Sequence, residues 1–205
     1  MERRELDRDD LERMALPPQL WGVRLDQVPE SVRAVVERYL RRAPKMVAMC
    51  AGLLINGPGG VGKSAIAALI AKEVRACRMP VYWVAVSDLR EAVRKRLMFD
   101  EELSVMDKAR AVPLLVLDDL DGADAGERVL GARDLERLVL LRGGWRRPTI
   151  ITTRMSLVEV TAAFGSFVQA TQGHMVSLAV TGPSQRRECG ELLHRAVYGG
   201  GGHGS

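Results

Sequence analysis

The chain has 205 residues, enough for one well-cored domain and too few for two domains joined by a linker. Its sequence contains no apolar run near the roughly 20 residues of a membrane span, no secretory signal pattern and no Cys/His spacing of a zinc site. The net charge of +4 is carried mainly by arginine, which suits phosphate groups without requiring a nucleic acid. We therefore expect a cytoplasmic protein with one domain and no membrane contact.

Two helical segments precede the first predicted strand. Residues 2–14 are charge-dense, with apolar residues at loosely helical spacing, and they end at two prolines that cannot continue a helix. We predict an N-terminal helical arm over residues 1–19, whose charged face fits either a docking helix or a solvated surface. Ser31 is the predicted N-cap of the next helix. That helix carries one apolar stripe, formed by Val32, Val35, Val36, Tyr39 and Leu40.

From Gly52 onward, short apolar runs alternate with longer helical stretches. The predicted strands are 52–56, 81–86, 114–119, 149–153 and 174–181. The predicted crossover helices are 63–77, 88–99, 133–141 and 157–164. The first four strands are continuously apolar, which is typical of strands covered on both faces of a parallel sheet. The pattern predicts a three-layer α/β domain with a central parallel sheet over residues 20–198, followed by a flexible tail at 199–205.

The sequence GPGGVGKS at residues 57–64 matches the phosphate-binding pattern G-x-x-x-x-G-K-[ST]. Glycines let successive backbone N–H groups point at phosphate oxygens, and the following helix adds its positive dipole end. We expect Lys63 to reach the β- and γ-phosphates and to act in catalysis, and Ser64 to ligate Mg²⁺. The predicted ATP-binding residues are Gly57, Pro58, Gly59, Gly60, Val61, Gly62, Lys63, Ser64 and Ala65.

The third predicted strand, LLVLDDL, ends in two carboxylates. Asp118 is the predicted ligand of Mg²⁺, and Asp119 is predicted to position or deprotonate the attacking water. Adjacent carboxylates after a strand are also typical of a helix N-cap region. Their place about 55 residues after a phosphate-binding loop favours the catalytic interpretation.

The fourth predicted strand ends in the sequence PTIITTRMS. If this strand lies between the phosphate-loop strand and the strand of Asp118, its polar end is close to the γ-phosphate. Thr153 and Arg154 are the candidates for sensing hydrolysis, and Arg154 is also a predicted catalytic residue. Thr152 and Thr153 are equally typical of an ordinary strand end.

The combination LLINGPGGVGKS, VYWVAVSDL, LLVLDDL and RPTIITT resembles the bacterial DnaC/IstB-like branch of AAA+ ATPases, from about Leu20 to Arg187. The Asp-Asp strand end followed by Arg142 and PTIITT is its most particular part. The resemblance implies a P-loop NTPase fold of the AAA+ type, ATP and Mg²⁺ as cofactors, and ATP hydrolysis. It also implies binding of single-stranded DNA, loading of a hexameric DnaB-type helicase, and a possible homo-oligomer with ATP and DNA.

The chain departs from that family at two positions. Arg154 stands where the family usually has asparagine, which alters the expected contact with the γ-phosphate. Thr171 stands at or near the arginine that reaches the ATP of a neighbouring subunit. Such an arginine is worth about 10³ to 10⁵ in rate, so its loss predicts slow hydrolysis. Arg186 matches a C-terminal arginine of the family and is the candidate second sensor, although a plain surface arginine fits as well.

Two basic clusters are candidates for DNA contact. One surrounds Trp145 and consists of Arg137, Arg142, Arg146 and Arg147. The other lies at a helix end and consists of Arg38, Arg41, Arg42 and Lys45. An aromatic ring among arginines suits stacking on unpaired bases, whereas basic residues at a helix C-terminus are favoured by the helix dipole alone.

Two other functions are compatible with the motifs. A small-molecule kinase needs an arginine-bearing lid, and no clear lid sequence lies between Thr153 and Gly182. A transposition or phage-replication ATPase or adaptor with weak or no hydrolysis agrees with the missing arginine, and its partner would be a transposase or a replication protein. We expect the helicase-loader function, with this adaptor as the alternative.

Overall fold

The computed structural model describes residues 3–99, 104–121, 126, 130–165, 168, 171, 173 and 175–184. The strands within these residues are β1 (Gly52–Asn56), β2 (Val81–Ala85), β3 (Leu114–Leu120), β4 (Thr149–Thr153) and β5 (Met175–Ala179). The helices are α1 (Arg8–Arg13), α2 (Glu30–Leu40), α3 (Ala43–Ala48), α4 (Lys63–Ala76), α5 (Val86–Phe99), α6 (Ser104–Ala111), α7 (Ala132–Gly144) and α8 (Leu157–Ala163).

The strands form one parallel sheet in the order β2-β3-β4-β1-β5. Strand β4 therefore lies between β1 and β3, which is the arrangement that brings its polar end close to the phosphate loop. In a parallel sheet the carboxyl ends of all strands lie at the same edge. The loops after β1, β3 and β4 are therefore neighbours. The predicted α/β fold with a central parallel sheet is confirmed.

Side chains alternate between the two faces of the sheet and build two hydrophobic clusters. Leu53 and Ile55 join a cluster with α2, α3 and α4. Leu54 joins the other cluster, with α5, α6, α7 and α8. Helices thus cover both faces, which explains why the inner strands are continuously apolar and accounts for the three layers.

Helix α2 begins one residue earlier than the predicted cap. Its N-cap is Pro29, with no side-chain hydrogen bond, and Ser31 lies inside the first turn. The predicted capping role of Ser31 is therefore wrong: its hydroxyl instead donates to the carbonyl of Thr181 at 3.5 Å. The apolar stripe is also narrower than predicted, because Val35 is 50% exposed.

The segment before α2 packs along α4. Helix α1 is shorter than the predicted charged stretch, and Asp7 caps it by accepting from the backbone N–H of Asp10 at 2.8 Å. The Asp10 carboxylate is buried and accepts from the guanidinium groups of Arg4 and Arg75. The hydrogen bond from Arg4 above all, and then that from Arg75, lowers the pKa of Asp10 to about 2. The segment is therefore held to the domain by a buried ionic cluster.

The same segment also reaches the sheet. Met14 is buried in the cluster around α4, and its carbonyl accepts from the backbone N–H of Trp83 in β2 at 2.8 Å. Strand β2 is an outer strand, so this bond satisfies part of its free edge. Within the described part of the chain, no helix has the length and apolar character needed to cross a membrane.

Candidate nucleotide site

The loop between β1 and α4 has the backbone geometry that a phosphate requires. Gly62 is the N-cap of α4 with a φ of 94°, a conformation that favours glycine. Gly57 runs so close to the backbone of Val180 that a side chain there would clash. No side chain caps the first turn of α4, so its N–H groups and the positive end of the helix dipole are directed at the loop.

Lys63, the first residue of α4, is buried and turned back onto this loop. Its ammonium group donates to the carbonyls of Gly57 at 2.8 Å and Pro58 at 2.7 Å. Burying an ammonium group is costly unless its donors are satisfied, and these two carbonyls accept from two of its three N–H groups. A positive charge is thereby placed at the centre of the loop.

Ser64 and Asp118, the two predicted metal ligands, are in direct contact. The Ser64 hydroxyl donates to the Asp118 carboxylate at 2.9 Å. Burial raises the pKa of Asp118, and hydrogen bonds from Thr152 and Ser64 oppose that rise. Mg²⁺ prefers oxygen ligands and is usually held by one or two protein groups together with phosphate oxygens. This pair of oxygen donors fits that requirement.

Thr152 is a site residue whose role the sequence left open. Its hydroxyl donates to Asp118 at 2.5 Å and accepts from the backbone N–H of Asp119 at 2.9 Å. It thus orients the carboxylate and the turn that follows it. The alternation of side chains along β4 was the available signal, since it places Thr152 on the same face as Ile150, toward α4.

Asp119 lies where the pairing of β3 with β4 is interrupted. The register shifts between Leu117 and Leu120, and Asp119 has a φ of 59°. Such an irregularity re-aims side chains, and the Asp119 side chain is 61% exposed. The two predicted carboxylates therefore differ in environment: Asp118 is half-buried against Ser64, while Asp119 is exposed beside Arg154.

Arg154 forms ion pairs with two carboxylates beside the loop. Its guanidinium lies 3.5 Å from Asp119 and 3.0 Å from Asp121. Its Cδ is 3.9 Å from the position that a Cβ on Gly59 would occupy, so the side chain reaches across to the phosphate loop. Asp121 is a member of this cluster that the sequence did not single out.

Thr153, the other sensor candidate, points away from the phosphate loop. It is fully buried, and its hydroxyl donates to the carbonyl of Leu120 at 2.7 Å while accepting from the N–H of Met155 at 3.1 Å. Both bonds hold the backbone beyond β3 and β4. Of the two candidates, only Arg154 lies against the loop.

Arg142 is excluded from DNA contact because it is completely buried. It donates to the Thr149 hydroxyl and to five backbone carbonyls, those of Ala109, Arg110, Val112, Pro113 and Pro148. Burial lowers the pKa of Arg142 to about 9. Its role is to tie α7 to the turn between α6 and β3, which corrects the predicted DNA contact.

The remaining predicted positions lie away from the loop or outside the described residues. Thr171 is buried, and its hydroxyl lies 3.3 Å from the carbonyl of Val168, which accepts from it. Thr171 is uncharged, so it cannot replace the arginine that the family uses to reach the ATP of a neighbouring subunit. Arg186 and the predicted tail at 199–205 lie outside the described residues, so their roles stay predictions.

Comparisons with known proteins agree with this geometry. The sequence model of the AAA family, "ATPase family associated with various cellular activities", matches residues 53–138, which contain the phosphate loop and both strand-end aspartates. No curated protein matches the sequence. The fold and the loop are those of a P-loop NTPase, and residues 53–138 are similar to the AAA family.

Solved structures with a similar fold include helicase loaders and replication initiators. The DnaC helicase loader is 19% identical with a TM-score of 0.68, and the match covers 80% of this chain and all of that one. A putative primosome component from Streptococcus pyogenes serotype M3 is 17% identical with a TM-score of 0.68, covering 88% of this chain and 100% of that one. The initiator DnaA bound to AMPPCP and single-stranded DNA is 15% identical with a TM-score of 0.62, covering 88% and 56% respectively. The predicted resemblance to AAA+ proteins such as the DnaC helicase loader is confirmed at the level of the fold.

Proposed function

We propose that this protein is an ATP-dependent adaptor of the helicase-loader type, which couples its nucleotide state to single-stranded DNA and to a hexameric replicative helicase of the DnaB type. The observation that carries the nucleotide part is the contact of Ser64 with Asp118 at 2.9 Å, beside the uncapped N-terminus of α4. Similarity of fold to the DnaC helicase loader supports the helicase part.

ATP binding is assigned to the loop and the first turn of α4. In this proposal the N–H groups of residues 57–65 surround the triphosphate, and Lys63 exchanges its carbonyl partners for β- and γ-phosphate oxygens. Ser64 and Asp118 would hold Mg²⁺, which neutralises charge on the phosphates when it is bound. Asp118 must be ionised for this role, and the hydrogen bonds from Thr152 and Ser64 favour its ionised form.

Hydrolysis is assigned to the exposed side of the site. Asp119 would orient the attacking water, because it is the carboxylate that faces the open loop. Arg154 replaces the usual asparagine and would bring a positive charge toward the γ-phosphate from within the same chain. To do so it has to give up its ion pair with Asp121, so we expect slow turnover in the absence of a partner.

The nucleotide assignment is tested by calorimetric titration of Mg-ATP into the full chain. Lys63→Ala should abolish tight binding, because it removes the charge at the centre of the loop. Lys95→Ala is the matched control, since it removes an exposed lysine that pairs with Glu91 on α5. Parent-like affinity in Lys63→Ala would refute the site.

The partner assignment is tested by ATPase assays with single-stranded DNA and with the DnaB-type helicase of the same organism. Stimulation of turnover and co-migration with helicase on native mass analysis are expected, and the same mass analysis reports any homo-oligomer. A second candidate, a transposition or phage-replication adaptor, is favoured by the uncharged, buried Thr171. Tight ATP binding without turnover under every condition would select that adaptor.

A further inference from the structure

The fold brings the segment before β1 beside the end of α7. Strands β1 and β4 are neighbours, with Leu53 opposite Ile150, so the segments that precede them lie side by side. The Cys50 thiol, just before β1, is 3.9 Å from the carbonyl of Gly143 at the end of α7. Burial raises the pKa of Cys50, and the charges of Arg142 and Arg146 oppose that rise, which places Arg146 near the end of α3.

The result is an exposed surface that starts at the edge of the sheet where the strands begin and extends back along α7. We call it the amino-edge surface and define it as Met49, Arg133, Arg137, Trp145 and Arg146. Its two large apolar side chains are unusually open, with Trp145 56% and Met49 65% exposed. The basic groups lie along α7 and directly after Trp145.

A groove runs along α7 within this surface. Its volume is about 500 Å³, and its walls include Arg133, Arg137, Leu140 and Trp145. Arg133 and Arg137 lie four residues apart, so their side chains share one face of α7. The groove thus has an apolar floor that ends at an aromatic ring, with guanidinium groups along one side.

The Trp145 ring is held in place by the Arg147 side chain. The Arg147 guanidinium lies 5.1 Å from the centre of its ring, and Arg147 in turn donates to the carbonyl of Arg110 at 3.0 Å. A ring fixed in this way loses little conformational entropy when a flat ligand stacks on it. Arg147 therefore supports the aromatic platform, while Arg146 and Arg137 stay exposed.

The basic groups of this surface have no carboxylate partners within the described part of the chain. Arg133, Arg137 and Arg146 form no ion pair with any described carboxylate, whereas Arg75 pairs with Asp10 and Arg94 with Glu91. Glu136 is the one acidic residue among the described walls of the groove. Exposed cations without acidic neighbours favour a polyanion as the ligand.

We propose that the amino-edge surface binds single-stranded DNA, with a base stacked on Trp145 and phosphates on the surrounding arginines. This rests on the DNA part of the proposed function and assigns a location to it. Bases stack on aromatic rings without sequence preference, and arginines track the backbone of an unpaired strand. Five-residue strands, roughly 15 Å long, separate the Trp145 end of this surface from the phosphate loop. The surface is formed without nucleotide, so an effect of ATP on DNA binding would have to be transmitted through the sheet.

The test uses fluorescence anisotropy of a labelled oligothymidylate of about 25 nucleotides with the full chain, without nucleotide. Trp145→Ala should weaken binding about tenfold or more, while Trp145→Phe should retain most of the affinity because it keeps an aromatic face. Arg137→Glu should weaken binding and lower the slope of log affinity against log salt by about 0.7 for each phosphate that the protein no longer neutralises. Arg24→Glu, an equal charge change outside the surface, should do less than either.

The outcomes separate this inference from the proposed function. The assay contains no nucleotide, so its result does not depend on the ATP site, which is tested separately by calorimetry. Oligonucleotide binding that survives in both Trp145→Ala and Arg137→Glu would overturn the surface and leave the DNA function standing. No binding by the parent, with or without Mg-ATP, would overturn both. Tighter binding of oligouridylate than of oligothymidylate would overturn the assignment to DNA. Unchanged thermal unfolding temperatures confirm that the variants fold.

Discussion

At the edge of the sheet where the strands end, every charged group of the site meets a partner within the chain, whereas at the opposite edge basic side chains face solvent. Lys63 is bound by two carbonyls, Asp118 by two hydroxyls and Arg154 by two carboxylates. A ligand at that edge must therefore replace bonds that already exist. A ligand at the amino-edge surface meets groups without carboxylate partners among the described residues, so its binding is an addition rather than an exchange.

This difference has a consequence for specificity. Exchange of internal bonds demands a ligand that satisfies the same donors and acceptors in the same places, which favours one chemical species. Addition to exposed cations and an aromatic ring is tolerant of sequence and sensitive to salt. The two edges are thus suited to a specific nucleotide and to a non-specific polymer.

The largest expected effect concerns the carboxylate that faces the phosphate loop. Asp119→Asn should lower ATP turnover by about 10² to 10⁴, because it removes the group that positions the water. ATP affinity should change little, since Lys63 and Ser64 remain. Turnover by a phosphate-release assay and affinity by calorimetry separate the two.

Asp121→Asn is the matched control for this change. Asp121 also pairs with Arg154, but the pair is exposed and worth at most about 1 kcal/mol, so turnover should change less than about tenfold. Equal losses in the two variants would contradict the assignment of Asp119 to the water.

The next effect concerns Arg142, whose buried guanidinium is hydrogen-bonded near the edge of the sheet where the strands begin. Arg142→Leu should lower the free energy of unfolding by about 3 kcal/mol or more, because six acceptors lose their shared donor. Urea denaturation followed by circular dichroism measures it. Arg137→Leu, on the exposed face of the same helix, should change stability by no more than about 0.5 kcal/mol. A small effect in both would contradict a structural role for Arg142.

The smallest effect is a pH dependence in the segment before α2. Asp10 has a pKa of about 2 in the folded chain against 3.8 in the reference state, so its ion pairs stabilise the fold above pH 3.8. That stabilisation should be lost progressively as the pH falls from 3.8 toward 2. Asp10→Asn should flatten the dependence of unfolding free energy on pH in this window. Asp9→Asn, at an exposed position, should leave it unchanged.

Local patterns were sufficient to predict the sheet and the loop. The phosphate loop and the strand-end aspartates are short motifs beside continuous apolar runs. The order of the five strands was not predicted, because it depends on contacts between segments far apart in the sequence. Thr152 and Asp121 were missed because their roles depend on contacts across strands. The exposure of Asp119 was missed because an irregularity in strand pairing leaves no mark in composition.

The helical periodicity of α7 already indicates in the sequence that Arg142 is buried. Counting along α7, it falls on the same face as Leu135, Leu138 and Val139, all of them buried. A helical period of about 3.6 residues assigns it to the interior, while its basic neighbours in sequence assign it to the surface. Periodicity outweighs composition here, because a guanidinium can be buried when backbone carbonyls surround it.

The backbone bond from Trp83 to Met14 has a further consequence. An uncovered outer strand offers a row of unsatisfied peptide groups on which strands from other molecules can assemble. By laying its own chain against β2, the protein blocks that template on one side of the sheet. Removal of the first fourteen residues should therefore promote aggregation of the folded protein, in addition to lowering its melting temperature.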